Sequence, residues 1–395
     1  MSDDFTEFTS ESWGGRILSS IKGILFGIVL IPISIILLFW NENRAVTTAK
    51  GLKEGAAAVV SIDAKSVIPT NDQKLVHLSD QVTSDEVLKD PLFAVAAKGI
   101  RLTRSVEMYQ WQEDKSSETH KKLGGGTETA TTYSYKQVWS DKLISSAHFN
   151  PNHREEHQNP TAMLTQPLTV VGGNVKLGAF KLPSEVIAKM HGDAVLAATD
   201  EDLAKAAPDL RSKLKLAAGT FYVGMDPAAP ALGDQRVSFK VLTPAVWSVI
   251  ARQNGDSLAA YQPKNGSAIE RVEAGSVSAD LMFKHAESEN AMLTWGLRLG
   301  GFVLMALGLG LIVNPLSVFA DVIPFLGDII GVGVGLAAIL LAFVGSIIVI
   351  AVAWFVVRPL LTVALAVVAA AALVMAWRYG HSRSLQTKAA RKLPS

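Results

Sequence analysis

The chain has 395 residues, of which 49% are hydrophobic and only 18% charged, with a net charge of +1 and no cysteine. A net charge near zero gives no electrostatic reason to expect a nucleic-acid partner. The absence of cysteine excludes disulfides, thiolate metal sites and cysteine nucleophiles.

Four long apolar runs hold most of the hydrophobic residues. A bilayer's hydrocarbon core is about 30 Å thick, so a spanning helix needs roughly 20 apolar residues. Runs of this kind cover 17–40, 295–313, 329–357 and 358–378. The first is not typical of a signal peptide, because an acidic tail precedes it and no small-residue cleavage site follows. The sequence therefore predicts a polytopic α-helical membrane protein with four spans.

The charges that flank the spans predict an orientation. Residues 379–395, together with Arg378, carry five basic side chains and no acidic one, which places this tail in the cytoplasm by the positive-inside rule. Four spans put both termini on one side, so residues 1–16 form an acidic cytoplasmic tail, expected to be disordered at its start. Residues 41–294 then lie outside the cytosol, since long loops translocate largely regardless of charge.

Residues 41–294 are predicted to form a large extracytoplasmic α+β domain. In the longest predicted strand, 102–112, Val106 and Met108 alternate with polar and aromatic residues. Gly124-Gly125-Gly126 indicates the tip of a long hairpin. Other predicted strands cover 57–62, 74–78, 94–97, 132–139, 219–224, 236–242, 247–253 and 268–274, and predicted helices cover 184–191, 200–216 and 278–289.

Residues 314–328 are predicted to be an interfacial or re-entrant segment, because Pro315 and Pro324 prevent a straight helix. Asp321 and Asp328 lie in this segment. They indicate either a cytoplasmic amphipathic loop or part of an ion path, since charge deep in a bilayer is costly. Arg298 and Arg358 are predicted to mark membrane interfaces.

Small residues in the predicted spans recur at helical spacing. Gly296 and Gly300 form one pair four residues apart, and Gly327, Gly331 and Gly335 form a longer series. Such spacing lets helix backbones approach closely in lipid. Packing within one bundle and self-association between subunits are both consistent with it.

The one metal-like spacing is formed by His148, His153 and His157, and the last two match the pattern His-x-x-Glu-His. Pro151 and Pro160 limit any helix there to two turns, which favours a surface loop over a metal site. No Gly-x-Ser-x-Gly or other nucleophile arrangement is present. We therefore expect neither an enzyme nor a cofactor, with a zinc-dependent hydrolase as a remote alternative.

Several short motifs occur in order along almost the whole chain: Asn41-Glu42-Asn43-Arg44-Ala45, Arg104 to Glu113, Tyr133-Ser134-Tyr135, His157 to Met163, Gly233 to Phe239, Val249 to Asp256, Thr294 to Arg298 and Arg358-Pro359-Leu360. On these motifs the chain resembles the transmembrane protein 43 (LUMA) family. Its motif residues are Asn41, Glu42, Arg44, Glu107, Tyr109, Trp111, Asn159, Pro160, Arg236, Arg252 and Trp295. Asn43 stands where the family pattern usually has glycine, so a local turn is expected there.

The resemblance implies a non-enzymatic scaffold that self-associates and organises membrane or envelope protein complexes or lipid domains. The eukaryotic family resides in the endoplasmic reticulum and inner nuclear membrane, with lamin and emerin as partners. The short acidic tail and compact loops favour a bacterial inner membrane, where lamins cannot be partners and lipids and other membrane proteins remain. An ion channel or channel component that uses the polar residues of the C-terminal helices is the alternative.

Overall fold

The computed structural model describes residues 3–264 and 266–357, and these form two compact units. The β-rich unit comprises the chain up to Ser10, Lys50–His120 and Thr127–Glu287. The helical unit comprises Glu11–Ala49, Lys121–Gly126 and the residues from Ser288 onward. The helices are α1 (Trp13–Ala58), α2 (Ser184–Ala188), α3 (Asp200–Lys205), α4 (Pro208–Arg211), α5 (Ala279–Ala320) and α6 (Pro324–Val357).

The strands are mostly short, and six of them have eight residues or more. They are β1 (Asp3–Glu11), β2 (Val60–Ser61), β3 (Leu75–Thr83), β4 (Val87–Lys89), β5 (Ala96–Lys98), β6 (Arg101–Lys121), β7 (Thr127–Ser140), β8 (Leu168–Val171), β9 (Lys176–Leu177), β10 (Phe180–Lys181), β11 (Ala194–Leu196), β12 (Leu214–Ala217), β13 (Thr220–Val223), β14 (Gln235–Leu242), β15 (Val246–Asn254), β16 (Ser257–Ala259) and β17 (Arg271–Ala274).

Three helices of the described residues are long and apolar enough to cross a membrane: Trp13–Ala58, Ala279–Ala320 and Gly327–Val357. They correspond to the first three predicted spans. The fourth predicted span, 358–378, lies outside the described residues. α1 passes through Asn43 as a regular helix, so the turn expected there does not form.

The break between α5 and α6 is shorter than the sequence predicted. α5 continues through Asn314 and Pro315 to Ala320, and the chain turns only at residues 321–323. A membrane helix tolerates an internal proline where neighbouring groups cover the freed carbonyl. Pro324 begins α6, where a missing N–H costs nothing. The predicted segment 314–328 is therefore mostly helical, and Asp321 lies in the turn.

Glycines other than the predicted ones bring the membrane helices together. A Cβ added to Gly27 of α1 would lie 2.5 Å from the carbonyl oxygen of Gly308 in α5. A Cβ at Gly301 would lie 2.5 Å from Leu38, and one at Gly345 would lie 2.8 Å from Met305. Helices in lipid associate through close packing of this kind, because the hydrophobic effect does not drive them together there.

Two large sheets and one two-stranded sheet, β4-β5, build the β-rich unit. The first has eight strands in the order β1-β7-β6-β14-β13-β12, with β11 paired to β14 and β8 to β6. The second has seven in the order β17-β15-β16-β10-β9-β3-β2, with β15 also paired to β3. The alternation predicted for β6 is confirmed: Val106, Met108 and Gln110 are buried, while Glu107 and Tyr109 are half-exposed.

Two local predictions in this unit are wrong. Residues 3–11 form β1, because β7 supplies a ladder that the isolated tail lacks. The helix predicted over 200–216 is interrupted before Pro208, which cannot donate to the preceding turn, and its last residues form β12. Gly124 and Gly125 have positive φ at the hairpin turn, as their sequence predicted.

Candidate functional site

A cluster of polar side chains joins the three membrane helices where α1 and α5 leave their apolar runs. We call it the polar lock: Asn41, Glu42 and Arg44 of α1, Asn290, Thr294 and Arg298 of α5, and Trp354 of α6. In α5 the polar residues recur every four positions, which places them on one face of the helix. Asn41, Glu42 and Thr294 are buried.

Glu42 is the centre of the polar lock. Its two carboxylate oxygens accept hydrogen bonds from Arg298 Nε at 2.7 Å and from a terminal nitrogen of the same guanidinium at 2.9 Å. The indole of Trp354 donates a third at 2.7 Å. The Arg298 guanidinium also lies 4.7 Å from the ring centroid of Trp295. One carboxylate thus contacts α5 and α6 at once.

The remaining members tie α1 to α5 directly. Asn41 Nδ2 donates to the Thr294 carbonyl at 3.0 Å, and Asn290 Nδ2 donates to the Ala45 carbonyl at 3.0 Å. Arg44 donates to the side chains of Asn290 and Thr294, each at 3.0 Å. The side chains of Asn41, Arg44 and Asn290 therefore bond mainly within the bundle, although Arg44 Nε has no partner among the described residues.

The second cluster lies at the other end of α1. We call residues 121–126 the hairpin tip, and Arg16, Lys121, Asp321 and Asp328 the tip cluster. Asp321 accepts from Arg16 at 2.5 Å and from Lys121 at 2.7 Å, and its side chain is only 2% exposed. Lys121 also pairs with Asp328 at 2.7 Å. Both aspartates singled out by sequence thus have basic partners.

Asp321 and Lys121 of the tip cluster favour each other's charged form. Burial opposes ionisation of Asp321, but the hydrogen bonds from Lys121 and Arg16 outweigh it and keep the pKa of Asp321 below its usual range. Burial likewise lowers the pKa of Lys121, and its bonds to Asp321 and Asp328 outweigh that effect and raise the pKa. Asp321 and Lys121 are therefore both charged at neutral pH.

The motif residues of the β-rich unit also contact their own unit. Glu107 and Arg236 form a two-bond pair across β6 and β14, at 2.7 and 3.2 Å. The Arg236 guanidinium lies 4.6 Å from the ring of Trp139, which packs on Tyr109. These side chains brace neighbouring strands.

Two further motif residues hold loops. The Asn159 side chain accepts from the Trp111 N–H at 2.7 Å and donates to the Trp111 carbonyl at 2.9 Å. Arg252 donates to Gln73 at 2.9 Å. Pro160 lines a cavity of about 300 Å³ next to Asn159. These contacts stabilise the fold around β6 and β15.

The three histidines do not form a metal site among the described residues. His157 stacks on Tyr135 with ring centroids 3.8 Å apart, and its Nδ1 lies 2.8 Å from the His153 carbonyl oxygen. The His153 ring packs on Phe5. His148 ends a short 3₁₀ turn. No group of three or more His, Asp or Glu side chains within 3–264 and 266–357 is arranged to hold a metal.

Four of the five glycines singled out by sequence make no tight contact with another described helix. A Cβ at Gly296, Gly300 or Gly335 would meet no described atom within 4 Å, and one at Gly331 would only touch Ser317. Gly327 has a different use, because a Cβ there would collide with Asp321. Arg358 lies outside the described residues.

Sequence reasoning missed Lys121, Asn290 and Trp354. The spacing of Asn290, Thr294 and Arg298 by four residues was a usable signal for the polar lock, since three polar residues on one helix face predict a partner. Lys121 gave no such signal, because its partners lie 200 and 207 residues away in the chain.

Comparison with known proteins assigns the family. The family model for transmembrane protein 43 matches residues 108–359. Transmembrane protein 43 of Mus musculus is 33% identical over 372 residues, 90% of each chain, and that of Homo sapiens is 33% identical over 357 residues, 87% of each. The homolog of Drosophila melanogaster is 28% identical over 85% of this chain and 89% of its own.

No solved structure matches the chain. The sequence matches cover parts of both units. They include the segments that build the polar lock and the face of β6 that carries Glu107 and Tyr109. The chain is an integral membrane protein of the transmembrane protein 43 family.

Proposed function

We propose that the protein is a non-enzymatic membrane scaffold that self-associates and organises other membrane proteins or lipids. The observation that carries this proposal is the use of the motif side chains. Asn41, Glu42 and Arg44 contact α5 rather than a cavity, and Glu107 with Arg236 joins two strands. Side chains that hold helices and strands together in this way are consistent with a scaffold, which acts through its surface.

Self-association is supported by a groove between α5 and α6. Its volume is about 390 Å³, and its lining is almost entirely apolar: Phe302, Val303, Ala306, Leu307, Gly310, Gly335, Ala338 and Ile339. A Cβ at Gly310 or Gly335 would meet no described atom within 4 Å. Small residues open to close approach are typical of helix interfaces in membranes. We propose a membrane helix of a second copy as the occupant.

The test is the mass of the detergent-solubilised particle. Gly310→Leu with Gly335→Leu fills the groove, so the particle should fall to a smaller mass. Gly333→Leu is the matched control, because Gly333 is equally open and does not line the groove. A monomeric wild-type particle contradicts self-association. Lower thermal stability at unchanged mass would assign the groove to residues of the same chain.

The remaining parts of the proposal concern placement and partners. We propose that most of 41–294 lies outside the cytosol, supported by the basic C-terminal tail, in a bacterial inner membrane or, in a eukaryote, in the endoplasmic reticulum or inner nuclear membrane. Membrane lipids and other membrane proteins are the expected partners, and nucleic acid is not. Lamin-type or emerin-type partners apply only to a eukaryotic envelope.

The channel alternative uses the same polar residues differently. Asp321 would have to face permeant ions, but Arg16 and Lys121 occupy both of its oxygens, and Glu42 takes up Arg298. These pairings support the scaffold over the channel. Flux through proteoliposomes separates the two, because a scaffold gives no conductance that Asp321→Asn changes.

A further inference from the structure

The hairpin between β6 and β7 interacts with the part of the chain that precedes the first membrane run. β1, which ends two residues before α1, pairs with β7 in the first sheet. Thr6 and Thr132 bring their hydroxyls within 3.0 Å, and Ser134 donates to Asp4.

The hairpin tip makes a second, separate set of contacts with the same end of α1. Arg16 donates to the Gly125 carbonyl at 2.5 Å, and the Gly124 N–H lies 3.3 Å from the Val322 carbonyl oxygen. A Cβ at Gly125 would lie 2.4 Å from the Trp13 ring, so only glycine allows this approach. The tip cluster adds the pairs of Lys121 with Asp321 and Asp328.

The hairpin tip and the polar lock mark opposite ends of the helical unit. Arg16 and Glu42 lie 26 residues apart on α1, which is about 39 Å at 1.5 Å per residue. That distance exceeds the roughly 30 Å of a hydrocarbon core. The segment that connects α1 to α5 starts near the polar lock. Its residues 121–126, however, lie at the opposite end of α1, beside Arg16.

We propose that this connection reaches both faces of the membrane, with the hairpin tip docked on the face where α1 begins and where the chain turns at Asp321. The inference is independent of self-association. It changes the simple layout in which all of 41–294 occupies one side. The hairpin tip is then a docking element that links the segment between α1 and α5 to the turn between α5 and α6.

The chain that leads to the tip must be shielded from lipid. Ser117 pairs with Thr131 and Thr119 with Thr129 through their hydroxyls, at 3.1 and 2.9 Å. Exposed polar side chains and open strand edges do not face hydrocarbon, because nothing there satisfies their hydrogen bonds. This part of the hairpin is therefore not expected to face hydrocarbon.

Labelling of single cysteines tests the proposal, and the chain has no native cysteine to interfere. Leu123→Cys places the probe at the tip, where the side chain is 90% exposed. Gly14→Cys and Lys50→Cys are references on α1, on either side of the apolar run. A membrane-impermeant maleimide is applied to sealed vesicles of each orientation, using the full-length protein.

We expect Leu123→Cys to react from the side that labels Gly14→Cys. Reaction from the side that labels Lys50→Cys would overturn the proposal. So would reaction from both sides, or reaction only after detergent, because neither describes a tip docked on one face.

A second measurement tests the docking itself. The pair Leu123→Cys with Val322→Cys should be joined by a short bis-maleimide in intact membranes, and Leu123→Cys with Met292→Cys should not. Adding Asp321→Asn should reduce the yield of the first pair several-fold, while Asp328→Asn, at an aspartate that is 67% exposed, should change it little. Equal yields for the two cysteine pairs would contradict docking at the turn.

Discussion

Glu42 shows how one buried carboxylate can fix three membrane helices. Its side chain is 2% exposed and that of Arg298 is 16% exposed. Such a pair gains little over an apolar contact of the same shape, but it is costly to break, because the remaining charge stays buried. The polar lock therefore specifies which faces of α1, α5 and α6 meet, more than it adds stability.

We predict that Glu42→Gln strongly destabilises the helical unit. The substitution leaves Arg298 without a carboxylate, and loss of one partner of a buried pair costs about 3–5 kcal/mol. Thermal unfolding in detergent, followed by hydrogen exchange in α1 and α5, measures the effect. The double variant Glu42→Gln with Arg298→Leu should recover part of the loss, because no buried charge remains.

Glu107→Gln is the matched control for this prediction. Glu107 forms a similar two-bond pair with Arg236, but the two side chains are 36% and 43% exposed. Exposed pairs contribute about 0–1 kcal/mol, so this variant should unfold within a few degrees of the wild type. Equal losses of stability in the two variants would show that burial does not determine the cost of breaking the Glu42–Arg298 pair.

At the scale of elements, the sequence predicted what depends on local pattern. The apolar runs of α1, α5 and α6, the alternation of β6 and the glycine turn at the hairpin tip all follow from periods of 3.6 or 2 and from backbone freedom. β1 could not be found this way, because its partner β7 lies more than a hundred residues away.

The packing glycines show a different limit of sequence reasoning. Gly296 with Gly300 and Gly27 with Gly308 look equally suitable as small residues in apolar helices. Only the second pair meets another helix, because contact depends on which face α1 presents to α5. Tertiary packing decides that choice, and the spacing of small residues along one helix does not.

The hairpin tip should stay docked across the neutral range and detach in acid. The lowered pKa of Asp321 means that its stabilising contribution is complete above the unfolded pKa of about 3.9 and is lost as the pH falls through the folded value. The raised pKa of Lys121 means that its contribution holds below about 10.4 and is lost only as the pH rises through the folded value.

Spin labels on Leu123→Cys and Val322→Cys measure this directly, because their separation does not depend on thiol chemistry. We expect one short distance between about pH 5 and 9 and a broad, longer distribution well below pH 4. In Asp321→Asn the broad distribution should already be present at neutral pH. A change near pH 6.5 would instead point to a histidine and contradict this assignment.

At the scale of the whole molecule, the two units have different sources of stability. The β-rich unit has buried aromatic clusters, including Phe93, Phe221 and Phe239, while the helical unit relies on glycine contacts and the polar lock. Yet α1 and α5 are continuous through both, since α1 contributes residues up to Ala49 to one and the rest to the other. Continuity of a helix does not by itself couple two cores.

We therefore predict two separate unfolding transitions in urea in the presence of detergent. Phe239→Ala removes a fully buried ring and should cost about 3–5 kcal/mol, which lowers the urea midpoint for peptides of β6 and β14 alone. Glu42→Gln should lower the midpoint for peptides of α1 and α5 within the helical unit alone. Hydrogen exchange resolved by peptide separates the two responses. If either variant moved both sets of peptides together, the shared helices would transmit stability and the chain would unfold as one cooperative body.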